Sequence, residues 1–166
     1  MFFYTFSYHT KSMLHMVITC LAFIIVAPIA TLMMTAFSYL ASYIRKRQFK
    51  EPELLTILMH RHFKINSDKR TTNLPGWVLH FLLGYLFLFI YDSCFVYTSI
   101  EPSLGWSFIV GIGMGILGII GWQIIFAINP NPPKVTFHEF YIQLVIAHVI
   151  FALIGYLGYY IRMFIS

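Results

Sequence analysis

The chain has 166 residues, of which 59% are hydrophobic and 19% aromatic, while Asp, Glu, Lys and Arg together make up 10%, against about 25% in a soluble domain. A mean hydropathy of +0.76 excludes a water-soluble or disordered chain, and two cysteines are too few for a disulfide scaffold or a multi-cysteine metal site. A membrane-crossing helix takes roughly 20 residues, so this length holds four of them and one moderate loop, with no room for a sizeable catalytic domain outside the membrane. The expected fold class is an all-α membrane protein, a four-transmembrane-helix bundle forming one domain over residues 1–166.

The apolar run between Lys11 and Arg45 predicts a first span over about residues 13–44. The small residues of "VAPIA" resemble a cleavage site, but "TLMMTAFSYLASY" continues the run beyond them, so the segment is read as an uncleaved span. The same unbroken run argues against a lipidated Cys20. Pro28 removes a backbone bond in mid-span and is expected to bend it.

The loop 45–73 holds Arg45, Lys46, Arg47, Lys50, Arg61, Lys64, Lys69 and Arg70, most of the eleven basic residues. Short cytoplasmic loops retain Lys and Arg, so this loop is expected inside and both termini outside, in a cell (inner) membrane. With Glu51, Glu53 and Asp68 subtracted, the loop carries +5, the net charge of the whole chain. The basic balance therefore reports topology and implies anionic lipid headgroups as partners, not nucleic acid. Within the loop, "EPELLTILMHRHF" has Pro52 where a helix starts and Leu54, Leu55, Leu58 and Met59 at helical spacing, which predicts a short interfacial helix. His60 and His62 fall on different faces of it and do not pair as metal ligands.

The second span runs over about 74–97, opening at Pro75 and Trp77; the third, about 103–128, is closed by "NPNPP"; the fourth covers about 139–164. Ionisable or strongly polar residues inside such spans are costly and are functional candidates: His15, His80, Asp92, Gln123 and His148. Counted from the cytoplasmic ends at 1.5 Å per residue, His80, His148 and Gln123 lie roughly 8 to 13 Å deep, level with Thr35 and Ser38 of the first span. The five are expected to form one polar layer that binds a lipid, a small ligand or a partner subunit. No carboxylate is expected at that depth, Glu139 at the membrane edge being the nearest.

The competing reading is a b-type haem or redox protein, with His80 and His148 as an axial pair. A cofactor-free membrane enzyme comes third. A Ser38, His80, Asp92 triad fails because His80 and Asp92 stand about 18 Å apart along one helix. The first reading needs no cofactor and no metal. Cys20 and Cys94 are read as packing thiols. Small residues let helices approach closely, so Gly111, Gly115 and Gly118 of the third span, with Gly84 and Gly155, predict close packing of spans two, three and four. This glycine face serves the monomer or a homo-oligomer.

"PIATLMMT", a basic loop with "EPELL", "HFLLG" in the second span, a Gly-rich third span and "HVIFALIG" in the fourth together resemble uncharacterised small four-helix bacterial inner-membrane families with a His-x-x-x-Gly element. The resemblance implies the four-helix architecture, points to His80, Gly84, His148 and Gly155 as family positions, and implies no activity.

Overall fold

The computed structural model describes residues 2–63, 73–129, 131, 133 and 135–165, with side chains described between Cys20 and Ile161. Within them the chain forms five helices and no strand: α1 (Phe2–Arg45), α2 (Glu51–His62), α3 (Leu74–Thr98), α4 (Leu104–Ile128) and α5 (Phe137–Ile165). Four of these, α1 from Cys20 onward, α3, α4 and α5, are long and apolar enough to cross a membrane. The helix of α1 starts well upstream of the expected residue 13. His15, Lys64, Lys69 and Arg70 lie outside the described side chains.

Local signals explain the element boundaries. Lys46 adopts a left-handed backbone with φ 51°, and the Arg47 N–H reaches back to the Ser42 carbonyl at 3.2 Å, the wide bond that closes a helix C-terminus in this way. Pro52 then opens α2, where its missing N–H costs nothing. At the other end of the molecule, Ser103 caps α4 by accepting from the Trp106 N–H at 3.3 Å. Pro28 sits inside the unbroken helix α1. A proline leaves the carbonyl four residues earlier without its donor, and the Tyr85 hydroxyl of α3 donates to that carbonyl, Ile24 O, at 3.1 Å.

Helix α5 packs along both α4 and α1, while α3 packs on α1 and α2 and touches α4 and α5 only lightly. Gly111 and Gly115 explain the close α4–α5 pair: a Cβ on either would stand 2.7 Å from a backbone Cα, of Val149 and Val145 respectively. Gly84 meets α1 instead, where a Cβ would stand 2.0 Å from Thr31 Oγ1. The expected mutual packing of spans two, three and four is corrected accordingly: α3 and α4 are joined near their short connection by the Tyr91–Ser107 hydrogen bond of 2.8 Å and contact each other little elsewhere. Gly155 has only ordinary contacts, with Leu88 and Tyr91 at 3.5 Å. Gly158, which the sequence did not single out, meets Val26.

The short helix α2 is where expected, but its apolar face is covered by protein. Leu54, Leu55 and Leu58 are buried in a cluster with Phe49, Trp122, Phe126, Phe140 and Leu144, and Glu51, Pro52 and Thr56 are buried as well. A helix lying on a lipid surface would leave that face uncovered by the rest of the chain. Gly76 makes the close docking possible, since a Cβ there would stand 1.9 Å from the Pro52 carbonyl oxygen, and its N–H donates to Thr56 Oγ1 at 3.1 Å. From the far side Asn129 Nδ2 donates to the Leu58 carbonyl at 2.9 Å. Asn129→Ala is expected to lower stability by about 1 kcal/mol, read as a modest fall in melting temperature of the detergent-purified protein.

Candidate functional site

Thr31, Thr35 and Ser38 lie three to four residues apart on one buried face of α1. A hydroxyl is tolerated in such a helix when it bonds the carbonyl one turn back, and all three do so: Thr31 to Ala27, Thr35 to Thr31 and Ser38 to Met34, at 2.8, 2.6 and 3.1 Å. The single hydrogen of Thr35 is therefore spent on the Thr31 carbonyl. Its contact of 2.9 Å with His80 Nε2 must then run the other way, with the ring N–H donating to Thr35 Oγ1. In a neutral imidazole the second nitrogen is an acceptor, so His80 presents Nδ1 as a lone pair.

His148 is fixed by the same logic. The Leu144 carbonyl accepts only, so the 2.8 Å contact with His148 Nδ1 places the proton on Nδ1 and leaves Nε2 as an acceptor. Gly118 of α4 lies directly over this ring: a Cβ there would stand 2.9 Å from Cε1 and 3.2 Å from Nε2. Phe87 of α3 meets the ring edge-on, centroid to centroid 4.8 Å.

One turn deeper toward α2, a carboxylate enters the layer that the sequence was expected to leave without one. Glu51 is 1% exposed. Its Oε1 stands 2.8 Å from Ser38 Oγ, which shares its one hydrogen between this oxygen and the Met34 carbonyl, and accepts from Gln143 Nε2 at 3.1 Å; the same Gln143 amide nitrogen also donates to Ser38 Oγ. Glu51 Oε2 and Gln143 Oε1 are buried without a hydrogen-bond partner. Burial pushes the Glu51 carboxyl from its ordinary 4.5 up to about 7, against the opposing pull of its backbone N–H, Ser38 and Gln143.

Four of the five sequence-derived candidates, Thr35, Ser38, His80 and His148, are buried together on the inner faces of α1, α3 and α5. Gln123 is not among them: its side chain is exposed on the outer face of α4, and Gln143 of α5 occupies the inner position instead. Asp92 lines a separate hollow with Cys20 and Phe89, near the opposite end of α3. Cys20 and Cys94 are free thiols. Among the described residues no three His, Cys, Asp or Glu side chains come together as a metal site. An iron shared by the two histidines would have to draw on His80 Nδ1 and His148 Nε2, the nitrogens their other bonds leave over.

Glu51, His80 and His148 line one cavity of about 310 Å³, room for roughly ten water molecules. Its remaining walls are apolar, with Leu83, Phe87 and Ile90 from α3, Trp122 and Ile125 from α4 and Phe151 from α5. The cavity occupies the space where α3 and α4 fail to meet. Leu86 and Leu117 flank it there and are 51% and 49% exposed, so its mouth is lateral, on the side of the bundle. The arrangement can receive an elongated apolar molecule from the side and meet its polar end with a carboxyl and two imidazoles. No family model matches this chain, and neither a curated protein nor a solved structure matches it.

Proposed function

We propose that this is a small non-enzymatic membrane protein that crosses the membrane four times, with loop 45–73 cytoplasmic and both termini outside, and holds a lipid or lipid-like molecule in the lateral cavity. The observation that carries the reading is the combination of an apolar chamber open to the side with Glu51, His80 and His148 on its wall. Buried ionisable groups in such a setting are costly to keep, and their convergence on one accessible chamber supports a binding role. Arg45, Lys46 and Arg47 are exposed beside the entrance to α2 and support contact with anionic headgroups on the cytoplasmic side.

Gly121 offers the test. It lines the cavity, and a Cβ added to it meets nothing within 4 Å, so a large side chain there fills the chamber without clashing at its root. Gly121→Phe is expected to keep the melting temperature of the empty protein and to lose at least ten-fold of the lipid that co-purifies with the wild type, measured by mass spectrometry of organic extracts. Equal lipid content in the two proteins would overturn the reading. A visible spectrum of the same wild-type sample, oxidised and reduced, tests the haem alternative, whose bands would have to vanish in His80→Ala or His148→Ala.

A further inference from the structure

The two imidazoles on the cavity wall share one chemical character. His148 Nε2 and His80 Nδ1 are acceptors, because the Leu144 carbonyl and the Thr35 hydroxyl have taken the proton-bearing nitrogens. Glu51 Oε2 is fully buried and without a partner, on a residue that lines the chamber. Among the described residues no Lys or Arg lines the chamber, so nothing there offsets the charge of a phosphate or a carboxylate. A molecule with only ether, ester or ketone oxygens would leave the imidazole acceptors unmet, which costs free energy in an apolar site. The head that fits carries at least one O–H and no negative charge.

We infer that the cavity takes a lipid with an uncharged hydroxyl head, of the long-chain alcohol or monoacylglycerol kind, whose hydroxyl donates to a free histidine nitrogen while its chain leaves between α3 and α4. This rests on the reading of the cavity as a lipid site. The chamber volume of about 310 Å³ suits a head and the first part of a chain, and the lateral mouth at Leu86 and Leu117 gives the rest of the chain a way out. A phospholipid head is the wrong chemistry here, which separates this site from the exposed basic residues Arg45, Lys46 and Arg47, where phosphate is the right one.

Trp122 is a built-in reporter, since it lines the chamber and the chain has three tryptophans in all. A Trp77→Phe, Trp106→Phe protein in lipid nanodiscs, excited where tyrosine does not absorb, leaves it as the sole tryptophan emitter. Its fluorescence is titrated with dodecanol, dodecyl methyl ether and dodecanoate, which share a chain and differ in the head. Dodecanol is expected to act at roughly ten-fold lower membrane mole fraction than the ether, the factor that one well-met acceptor supplies, and dodecanoate no better than the ether. In His80→Phe, His148→Phe, which removes both acceptors, the alcohol and ether curves are expected to draw within about two-fold of each other. Alcohol and ether acting alike in the unsubstituted histidine background, or dodecanoate acting best, would overturn the hydroxyl assignment and leave the lipid site standing. No response of Trp122 to any of the three would overturn both.

Discussion

Gly115→Leu is expected to separate α4 from α5 and to lower stability by about 3 kcal/mol, the upper end of what overpacking a tight contact usually costs. The cause lies in what the added atoms meet. A Cβ at Gly115 would stand 2.7 Å from the Val145 Cα, and a backbone atom in the middle of α5 cannot turn aside as a side-chain tip can. Gly111 faces Val149 with the same separation, so Gly111→Leu is expected to behave alike. The comparison that isolates the effect is Gly113→Leu, two residues away on the same helix, where an added Cβ meets nothing within 4 Å. Thermal unfolding of the three detergent-purified variants, followed by loss of the monodisperse peak on size exclusion, should show the first two falling well below wild type and Gly113→Leu close to it. Equal losses in all three would mean that α4 dislikes leucine generally and that the contact with α5 is not the reason.

Glu51 is expected to contribute about 3 kcal/mol less to stability above pH 7 than at pH 4.5, read as the difference between wild type and Glu51→Gln. Its carboxyl is raised from 4.5 to about 7 by burial, so between those values the folded protein keeps a proton that the unfolded chain has released. The contribution of Glu51 is therefore largest at or below pH 4.5, is lost as pH rises through the folded value, and stays level after that. The direction is opposite to that of a carboxylate held by a cation. Lys50, the nearest base in sequence, pairs at 3.2 Å with Glu53 instead. Glu51→Gln keeps the shape without the charge, and its melting temperature is expected to gain on that of wild type across pH 5–8 and to exceed it at pH 8. Parallel pH profiles for the two proteins would sink the assignment.

The four long helices were legible because each is a continuous apolar run closed by prolines or charges, and α3 and α4 begin and end within a residue of expectation. The faces of those helices were not. Gln123 was placed in the polar layer by its depth, but depth is measured along the axis, and position around the axis changes by about 100° per residue. Its neighbour Trp122 is the one buried, which turns Gln123 outward. Gln143 had a usable signal: it stands four residues before Ala147, and Phe140, Leu144, Ala147, Phe151 and Ala152 repeat along one buried stripe of α5.

Glu51 was hidden for a different reason. In a loop with eight basic residues it counts as one more neutralising charge, and only the docking of α2 under Gly76 and Asn129 carries it inward. The free space between α3 and α4 was likewise invisible, because a short connection between two apolar helices ordinarily reads as an antiparallel pair in full contact.

The sideways mouth between Leu86 and Leu117 sets the currency in which any occupant must be measured. A molecule that arrives through it from a bilayer leaves one hydrocarbon setting for another, so its tail gains almost nothing from the exclusion of water. Chain length then changes how much of the molecule is in the membrane and hardly how tightly the protein holds it. Discrimination falls to the few atoms at the head, and the meaningful dissociation constant is a fraction of lipid molecules, unaffected by dilution of the surrounding buffer.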